Sequence, residues 1–391
     1  MKKSFFKTFT EMKKTILIDA TTISEKTDGL TQYIINLLKN FPDNCFEKYN
    51  FSVLINQKIS NKEFNDLLGL GKFKIIKCNI SAIGPKRDIG FFLFFMRNYN
   101  SFDVFHSTSN QYPLCLKKGI ATVHDITFEM YFRQKWWTFN FAKHYLSLIV
   151  KQSLNNAKHV IAVSNHTRNF MISKYKLSKK IEDKIEVIYE GWEHLIDFNN
   201  INKHEEYKNN YGNYIFYVGT TKEHKNMKRL LEAYEMSLND LPQINLVLCG
   251  SEAYLSIEEK KLVSKINSHK KVVFFTGYVL AENLRNLFRS ANAFIFPSLS
   301  EGFGIPVLET FYFEKPLLCS QTTSLPEIAG DAALYFDPES AEDISRAMIY
   351  FYNHPEIVEI LIAKGKERLK EFSWKKAALE TIAVYDKYFH G

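Results

Sequence analysis

The five cysteines of this chain, Cys45, Cys78, Cys115, Cys249 and Cys319, never fall at C-x-x-C spacing. That argues against a disulfide framework and a structural zinc site, and it fits a reducing cytosol. No apolar run approaches the roughly 20 residues of a membrane span. The longest, IGFFLFFM at 89–96, is eight residues, stops at Arg97 and reads as a buried helix segment. The N-terminal MKKSFFKTFTEMKK is interrupted by lysines and Glu11, which makes a poor secretory leader. With a second plausible start at Met12, residues 1–11 read as an unstructured extension, and residues 1–14 lie ahead of the first domain. There is no D-x-D and no carboxylate and histidine cluster at metal spacing, so no metal or other cofactor is expected. A G-x-S-x-G nucleophile turn, a nucleic-acid-binding signature and a short internal repeat are also missing.

What is present is a 391-residue chain with 46% hydrophobic residues, more than one core usually holds, so two domains are expected. The net charge of +8 is unevenly spread. Residues 1–195 carry 29 Lys and Arg against 17 Asp and Glu, giving +12, whereas residues 196–391 carry 22 against 26, giving −4. A basic half suits an anionic partner such as a lipid headgroup, a diphosphate or nucleic acid, or it is a set of solvated lysine-rich faces.

From Thr15 onward, β-branched and aromatic runs alternate with amphipathic stretches, as in doubly wound parallel sheets. TILIDA, YNFSVLI, FKIIKC, DVFHS, GIATVHD, HVIAVS and IEVIYE are the candidate strands of the first half, with a helix at about 139–155. After Gly191 the asparagine-rich DFNNINKHEEYKNNYGN has no apolar period and reads as a linker. The pattern restarts with YIFYVG, INLVLCG, VVFFTG and AFIFPS. The reading is therefore α/β, with Rossmann-like domains at 15–195 and 214–372, a linker at 196–213 and a C-terminal helical segment at 373–391. Ligands of such sheets bind at the carboxyl ends of the strands.

One stretch, SEGFGIPVLET at 300–310, places Glu301 and Glu309 eight positions apart around a turn that enters a helix. Pro306 suits a first helical turn. Gly302 and Gly304 remove side chains, so backbone N–H groups at a helix N-terminus can approach a polar ligand. Each carboxylate can accept from two neighbouring hydroxyls, which points to a ligand that is sugar at both ends. A helix start with one dipole-favoured glutamate is the plainer reading.

FPSLSEGFGIPVLE, with FYVGTTKEHKN, VHDIT, VIAVSNHTR, DGLTQY and TSLPEIAGDAALYFDPES, resembles glycosyltransferase family 4, the retaining enzymes of the GT-B fold. The resemblance covers nearly all of the chain from Thr15. It implies two Rossmann-like domains facing a cleft and a last helix, here FSWKKAALETIAVYDKYF, crossing back to the first domain. It implies a nucleotide diphosphate sugar as donor, with Glu309 on the ribose, Glu301 on a sugar hydroxyl and the backbone of Gly302, Phe303 and Gly304 lining the sugar. Lys225 would pair with the diphosphate, in the turn after Gly219, and His124 would approach the donor sugar beside Asp125. His224 stands where many relatives carry arginine, and a neutral imidazole stabilises a diphosphate less than a guanidinium does. In the glycine-rich loop after the first strand, Gly29 is kept but Thr31 and Gln32 replace the second glycine and the arginine. A plain helix N-terminus is then almost as good a reading of that loop.

The reaction so implied transfers a hexose with retention through an oxocarbenium-like transition state, the leaving phosphate helping to take the acceptor proton. The expected acceptor is a glycan or a lipid-diphosphate-linked glycan, the setting bacterial surface polysaccharide synthesis, and the place the cytoplasm or the inner membrane face. An epimerase or phosphorylase on the same fold, a non-catalytic partner subunit and, more remotely, a nucleic-acid binder are the alternatives.

Overall fold

The computed structural model describes residues 13–25, 28–57, 61–82, 84–125, 138–195, 207, 210–220 and 222–390. The strands β1 (Lys14–Asp19), β2 (Tyr49–Asn56), β3 (Lys74–Cys78), β4 (Val104–Ser107), β5 (Gly119–Val123), β6 (His159–Ala162) and β7 (Ile185–Val187) form one sheet, in the order β3-β2-β1-β4-β5-β6-β7. A second sheet contains β8 (Asn213–Val218), β9 (Ile244–Cys249), β10 (Val273–Phe275), β11 (Ala293–Phe296), β12 (Leu317–Ser320) and β13 (Ala333–Phe336), in the order β10-β9-β8-β11-β12-β13. Both follow the doubly wound order 3-2-1-4-5-6, with the strand order reversing beside the first strand. Strands β4, β5, β11 and β12 are buried along their whole length, as befits parallel strands with no solvent face.

The eleven candidate strands of the sequence all form, and β12 and β13 join them. The helix expected at about 139–155 runs Thr138–Asn156. Lys14 already belongs to β1, so the first strand starts within the expected extension. Residues 1–12 and most of the expected linker, 196–206 with 208–209, lie outside the described residues.

The chain divides into two compact units, one of Met1–Val123, Leu148–Ile161 and Ala378–Gly391, the other of His124–Ser147 and Ala162–Ala377. The expected boundary at 195 follows a change in polarity, whereas compactness assigns 162–195 to the second unit. Packing explains the difference. Val163 and Leu195 are buried in the second unit's core with Phe216, Phe294 and Leu317, and Tyr189 and Trp192 lean on it.

The last helix, Trp374–His390, starts in the second unit and belongs to the first from Ala378 on. Its first-unit part is tied down by a buried polar chain and by an ion pair nearer the surface. Tyr385 OH lies 2.7 Å from Nδ1 of His106, whose Nε2 is 2.9 Å from Oγ1 of Thr122. Asp386 pairs with Lys48 at 2.7 Å and accepts from the Tyr49 hydroxyl.

At the carboxyl end of β1, Asp19 is fully buried and ion-paired with Arg87, which is itself 1% exposed. The second Asp19 oxygen accepts from the N–H and hydroxyl of Thr21, at 3.0 and 2.7 Å. Arg87 also donates to the Thr21 hydroxyl at 2.7 Å and to Ser109 at 3.3 Å. Removing one member of a buried pair strands the other charge. Arg87→Met is therefore expected to lower the first unit's stability by about 3–5 kcal/mol. Denaturant midpoints check this, and adding Asp19→Asn should recover much of the loss.

Candidate functional site

The 300–310 turn is shaped by what glycine permits. Gly302 lies so close to His124 and Asp125 that a Cβ there would sit 1.7 Å from the His124 carbonyl oxygen and 2.9 Å from the Asp125 Cβ. Gly304 has φ of 103°, a left-handed conformation that favours glycine, and its Cβ would meet Leu325 at 2.8 Å. The helix Ile305–Tyr312 starts there, with Pro306 in its first turn and no side-chain cap. Glu309 is one full turn in, so the first-turn dipole reading of it does not apply.

Hydroxyl groups hold the carbonyls of this loop. The Gly302 oxygen accepts from Ser164 at 2.6 Å and Thr167 at 3.2 Å. The Ser324 hydroxyl lies 3.0 Å from the oxygens of both Glu301 and Phe303 and shares its one hydrogen between them. Among the described residues, the N–H groups of Gly302, Phe303 and Gly304 have no protein acceptor. Successive free amides at a helix N-terminus form a concavity suited to anions and to sugar oxygens. The Phe303 side chain does not line it. Its ring is buried, with centroids 6.2 Å from Tyr189 and 5.9 Å from Phe372, so this residue has only backbone to offer.

Lys225 reaches the same loop from the turn after β8. Its Nζ is 2.6 Å from Oε1 of Glu301, both side chains mostly buried, and 5.4 Å from the Phe296 ring centroid. Two ties set this reach. Asn226, buried at φ 61°, donates to the oxygens of Pro297 at 3.0 Å and Pro338 at 2.7 Å. Leu299 N–H donates to the His224 oxygen at 2.7 Å. Gly219 is required by close packing, because a Cβ would sit 2.3 Å from the Tyr217 hydroxyl.

His124 and Asp125 belong to the second unit and follow β5 directly. Nδ1 of His124 lies 3.3 Å from Oε1 of Glu190, which is 4% exposed. A carboxylate there favours the proton on Nδ1 and leaves Nε2 as the acceptor nitrogen. Glu309 has a neighbour of the same kind. His194 Nε2 is 3.6 Å from its carboxylate, and His194 Nδ1 accepts from the Trp374 indole N–H at 3.2 Å. An accepting Nδ1 assigns the hydrogen to Nε2, facing Glu309.

His124, Lys225, Glu301, Glu309, Gly302, Phe303, Gly304, His224, Gly219 and Asp125 all belong to the second unit; Lys225 meets Glu301, Gly302 meets His124 and Asp125, and Glu309 meets His194. Gly29 and Thr31 belong to the first unit. Gly29 opens the helix Gly29–Lys39, capped by Asp28, whose carboxylate accepts from Thr31 N–H at 2.8 Å. Thr31 is fully buried and its hydroxyl takes the Ser24 N–H at 3.2 Å, so this loop can offer a phosphate only the backbone at Gly29. Sequence reasoning missed Glu190, His194, Asn226 and the hydroxyls of Ser164, Thr167 and Ser324. The run YEGWEH directly after β7, two acids and a histidine at a strand's carboxyl end, was the signal for the first two.

Burial pushes the His224 imidazole from its ordinary 6.5 down to about 4, with Glu301 opposing the shift and Lys225 and Lys222 adding to it. The residue in the expected arginine position is therefore neutral at pH 7. Between about 6.5 and 4 the unfolded chain binds a proton that the folded chain refuses, so this group's contribution to stability is full above that window and lost on acidification through it. His224→Asn is expected to flatten the fall of melting temperature between those pH values, which scanning calorimetry of both proteins reads directly.

Comparison with known proteins gives the same picture. Residues 28–193 match the family described as "Glycosyltransferase Family 4", and residues 197–368 the one described as "Glycosyl transferases group 1". The chain is 28% identical over 297 residues to O-antigen chain mannosyltransferase B of Escherichia coli, a match covering 74% of this chain and 75% of the relative. Among solved structures, the sucrose-phosphate synthase tll1590 of Thermosynechococcus elongatus superposes with a TM-score of 0.73 at 18% identity, over 96% of this chain and 99% of that one. Alr3699/HepE of Anabaena, in complex with UDP-glucose, gives 0.71 at 14% identity, over 95% and 99%.

Proposed function

Because this chain belongs to glycosyltransferase family 4 and is a glycosyltransferase of the GT-B fold, we propose that it is a retaining, metal-independent hexosyltransferase. It takes the hexose from a nucleotide diphosphate sugar and passes it to a hydroxyl of a glycan or lipid-linked acceptor in surface polysaccharide synthesis. The name of its Escherichia coli relative makes mannose the first sugar to test. The carrying observation is the Lys225–Glu301 pair at 2.6 Å beside the three free amides of residues 302–304.

In this reading the pair is exchanged on binding. The donor diphosphate competes for the Lys225 ammonium, which frees the Glu301 carboxylate to accept from sugar hydroxyls, while Glu309 accepts from the ribose diol. As the bond from C1 to the phosphate oxygen breaks, charge grows on the leaving diphosphate. Lys225 and the helix N-terminus stabilise it, taking the part a metal ion plays elsewhere. The acceptor oxygen bonds to C1 on the same face, and its proton passes to the leaving phosphate. His124, oriented by Glu190, borders the sugar, and Asp125 borders the acceptor. The basic excess of residues 1–195 faces an anionic acceptor at a membrane surface from the cytoplasm. Among the described residues no helix is long and apolar enough to cross a membrane.

The test is the melting temperature of the chain with a panel of nucleoside diphosphates and nucleotide sugars. A ligand that binds only the folded state adds ~2.7 kcal/mol at a hundred times its dissociation constant. A shift with one base, lost in Glu309→Ala, is the expected result, and no shift with any ligand would sink the reading.

His194 should act through Glu309. His194→Ala is expected to raise the donor KM about three- to tenfold, through the loss of the polar contact that orients Glu309, with a smaller change in kcat. His194→Gln, which keeps a donor near the Nε2 position, should recover most of it. Steady-state kinetics against donor concentration decides this.

The neutral His224 favours a second reading, a non-catalytic partner subunit that binds the donor without transferring it. Donor-dependent stabilisation with neither transfer nor hydrolysis, unchanged by His224→Arg, is the result that reading requires.

A further inference from the structure

The helix Pro85–Asn98 buries one apolar face and exposes another. Phe91 and Phe95 are fully buried and pack on Phe105 with centroids 5.5 and 5.2 Å away. On the far side Ile89, Phe92, Leu93 and Met96 are 60%, 51%, 55% and 69% exposed. At about 100° per residue these four fall within a stripe about 100° wide, centred about 130° round the helix from Phe91 and Phe95. The sequence reading took this whole run as buried, and the structure corrects it for half the run. Phe91 and Phe95 are enough to fill the core contact, so the next face has no core left to meet. Tyr99, just past the helix end, is also half exposed.

Four large apolar residues in one row facing water are an interaction surface rather than scattered exposure. Its charges identify the occupant. Lys86 and Arg97, both exposed, fall about 20–40° beyond Leu93, one near each end of the helix. The helix's other cation, Arg87, is neutralised inside by Asp19, and its one acid, Asp88, lies about 40° beyond the opposite edge of the stripe, at Phe92, and is partly buried. An apolar stripe edged by cations is what lies in the plane of an anionic bilayer, with the bulky side chains below the headgroups and the cations among them. At 14 residues the helix is too short to cross. A second copy of this chain fits less well, because antiparallel pairing of the stripes would set Lys86 against Arg97 of the copy.

We infer that the solvent face of helix Pro85–Asn98 is a membrane-docking surface, inserting Ile89, Phe92, Leu93 and Met96 into an anionic lipid surface with Lys86 and Arg97 on the phosphates. The inference rests on the proposed lipid-linked acceptor for its purpose and on the helix alone for its physics. Its test therefore uses neither donor nor acceptor, and failure leaves the sugar-nucleotide reading standing.

The full chain is sedimented with vesicles of phosphatidylcholine, and with vesicles of equal parts phosphatidylcholine and phosphatidylglycerol, at low and high salt. Binding to the anionic vesicles, weakened by salt, is expected. Ile89→Ser with Leu93→Ser should lower the apparent affinity about tenfold or more, at an unchanged melting temperature. Lys86→Gln with Arg97→Gln should lower it less and remove much of the salt dependence. Phe92→Trp gives a second reading that needs no destabilising change, its emission moving to the blue on anionic vesicles. The inference is overturned if the unaltered chain stays in the supernatant with anionic vesicles, if the serine variant binds as well as the parent, or if the Phe92→Trp emission stays where it is in buffer. A dimer in solution that the serine variant splits would assign the face to a second copy and overturn it as well.

Discussion

The site depends on three hydroxyl groups that hold three carbonyls. Ser164, Thr167 and Ser324 take the oxygens of residues 301–303, and with those oxygens turned inward the amides of 302–304 are left without protein partners. A loop with its carbonyls free could rotate each peptide and close on itself. Here rotation would break buried hydrogen bonds to Ser164, Thr167 or Ser324, and an unmet buried group costs about 1–3 kcal/mol. Glycine at 302 is the second condition, since no side chain fits between this loop and the His124 carbonyl. Free donors preset before a ligand arrives need no reorganisation when charge develops nearby.

The charged side chains obey the same economy. Lys225 and Glu301 neutralise each other, so neither is a lone charge in a mostly buried place. Glu309 and Glu190 each face a histidine nitrogen instead of a full cation. A weak partner keeps a carboxylate oriented and leaves its oxygens available to hydroxyl donors, whereas a guanidinium in bidentate contact would occupy them. The arrangement thus separates one strongly paired carboxylate, whose release requires a competing anion, from two lightly held ones.

Much of this was legible in the sequence because parallel-sheet physics writes it there. Strands buried on both sides appear as apolar runs, and strand ends followed by glycine, proline and polar residues mark the ligand side, which is how the 300–310 turn was found, whereas Lys225 and His124 came from the resemblance to glycosyltransferase family 4. What was not legible depended on partners distant in the chain. Glu190 and His194 sit in a short segment after β7 that a polarity argument placed with the first domain, and only the packing of Val163, Tyr189 and Leu195 moves it to the second. β12 and β13 were passed over although they are no shorter than β4, β6 and β11, which were found. The IGFFLFFM run was misread for a physical reason. Hydrophobicity shows how much apolar surface a helix has, and only the tertiary structure shows how much of it finds a neighbour.

Arg87 shows where the first unit's positive charge resides. The cation nearest the carboxyl end of β1, where an anionic ligand of a doubly wound sheet would be met, is cancelled by Asp19 and sealed from water. It therefore adds nothing to the field outside. Lys86, directly beside it in the chain, points outward, and with Arg97 it borders the exposed apolar stripe. An unpaired charge at the surface acts over about 8–10 Å at physiological ionic strength, and a buried pair acts over almost no distance. For Lys86 and Arg97 that reach favours a partner that meets a surface over one that enters a pocket, which is what the proposed docking of this helix requires.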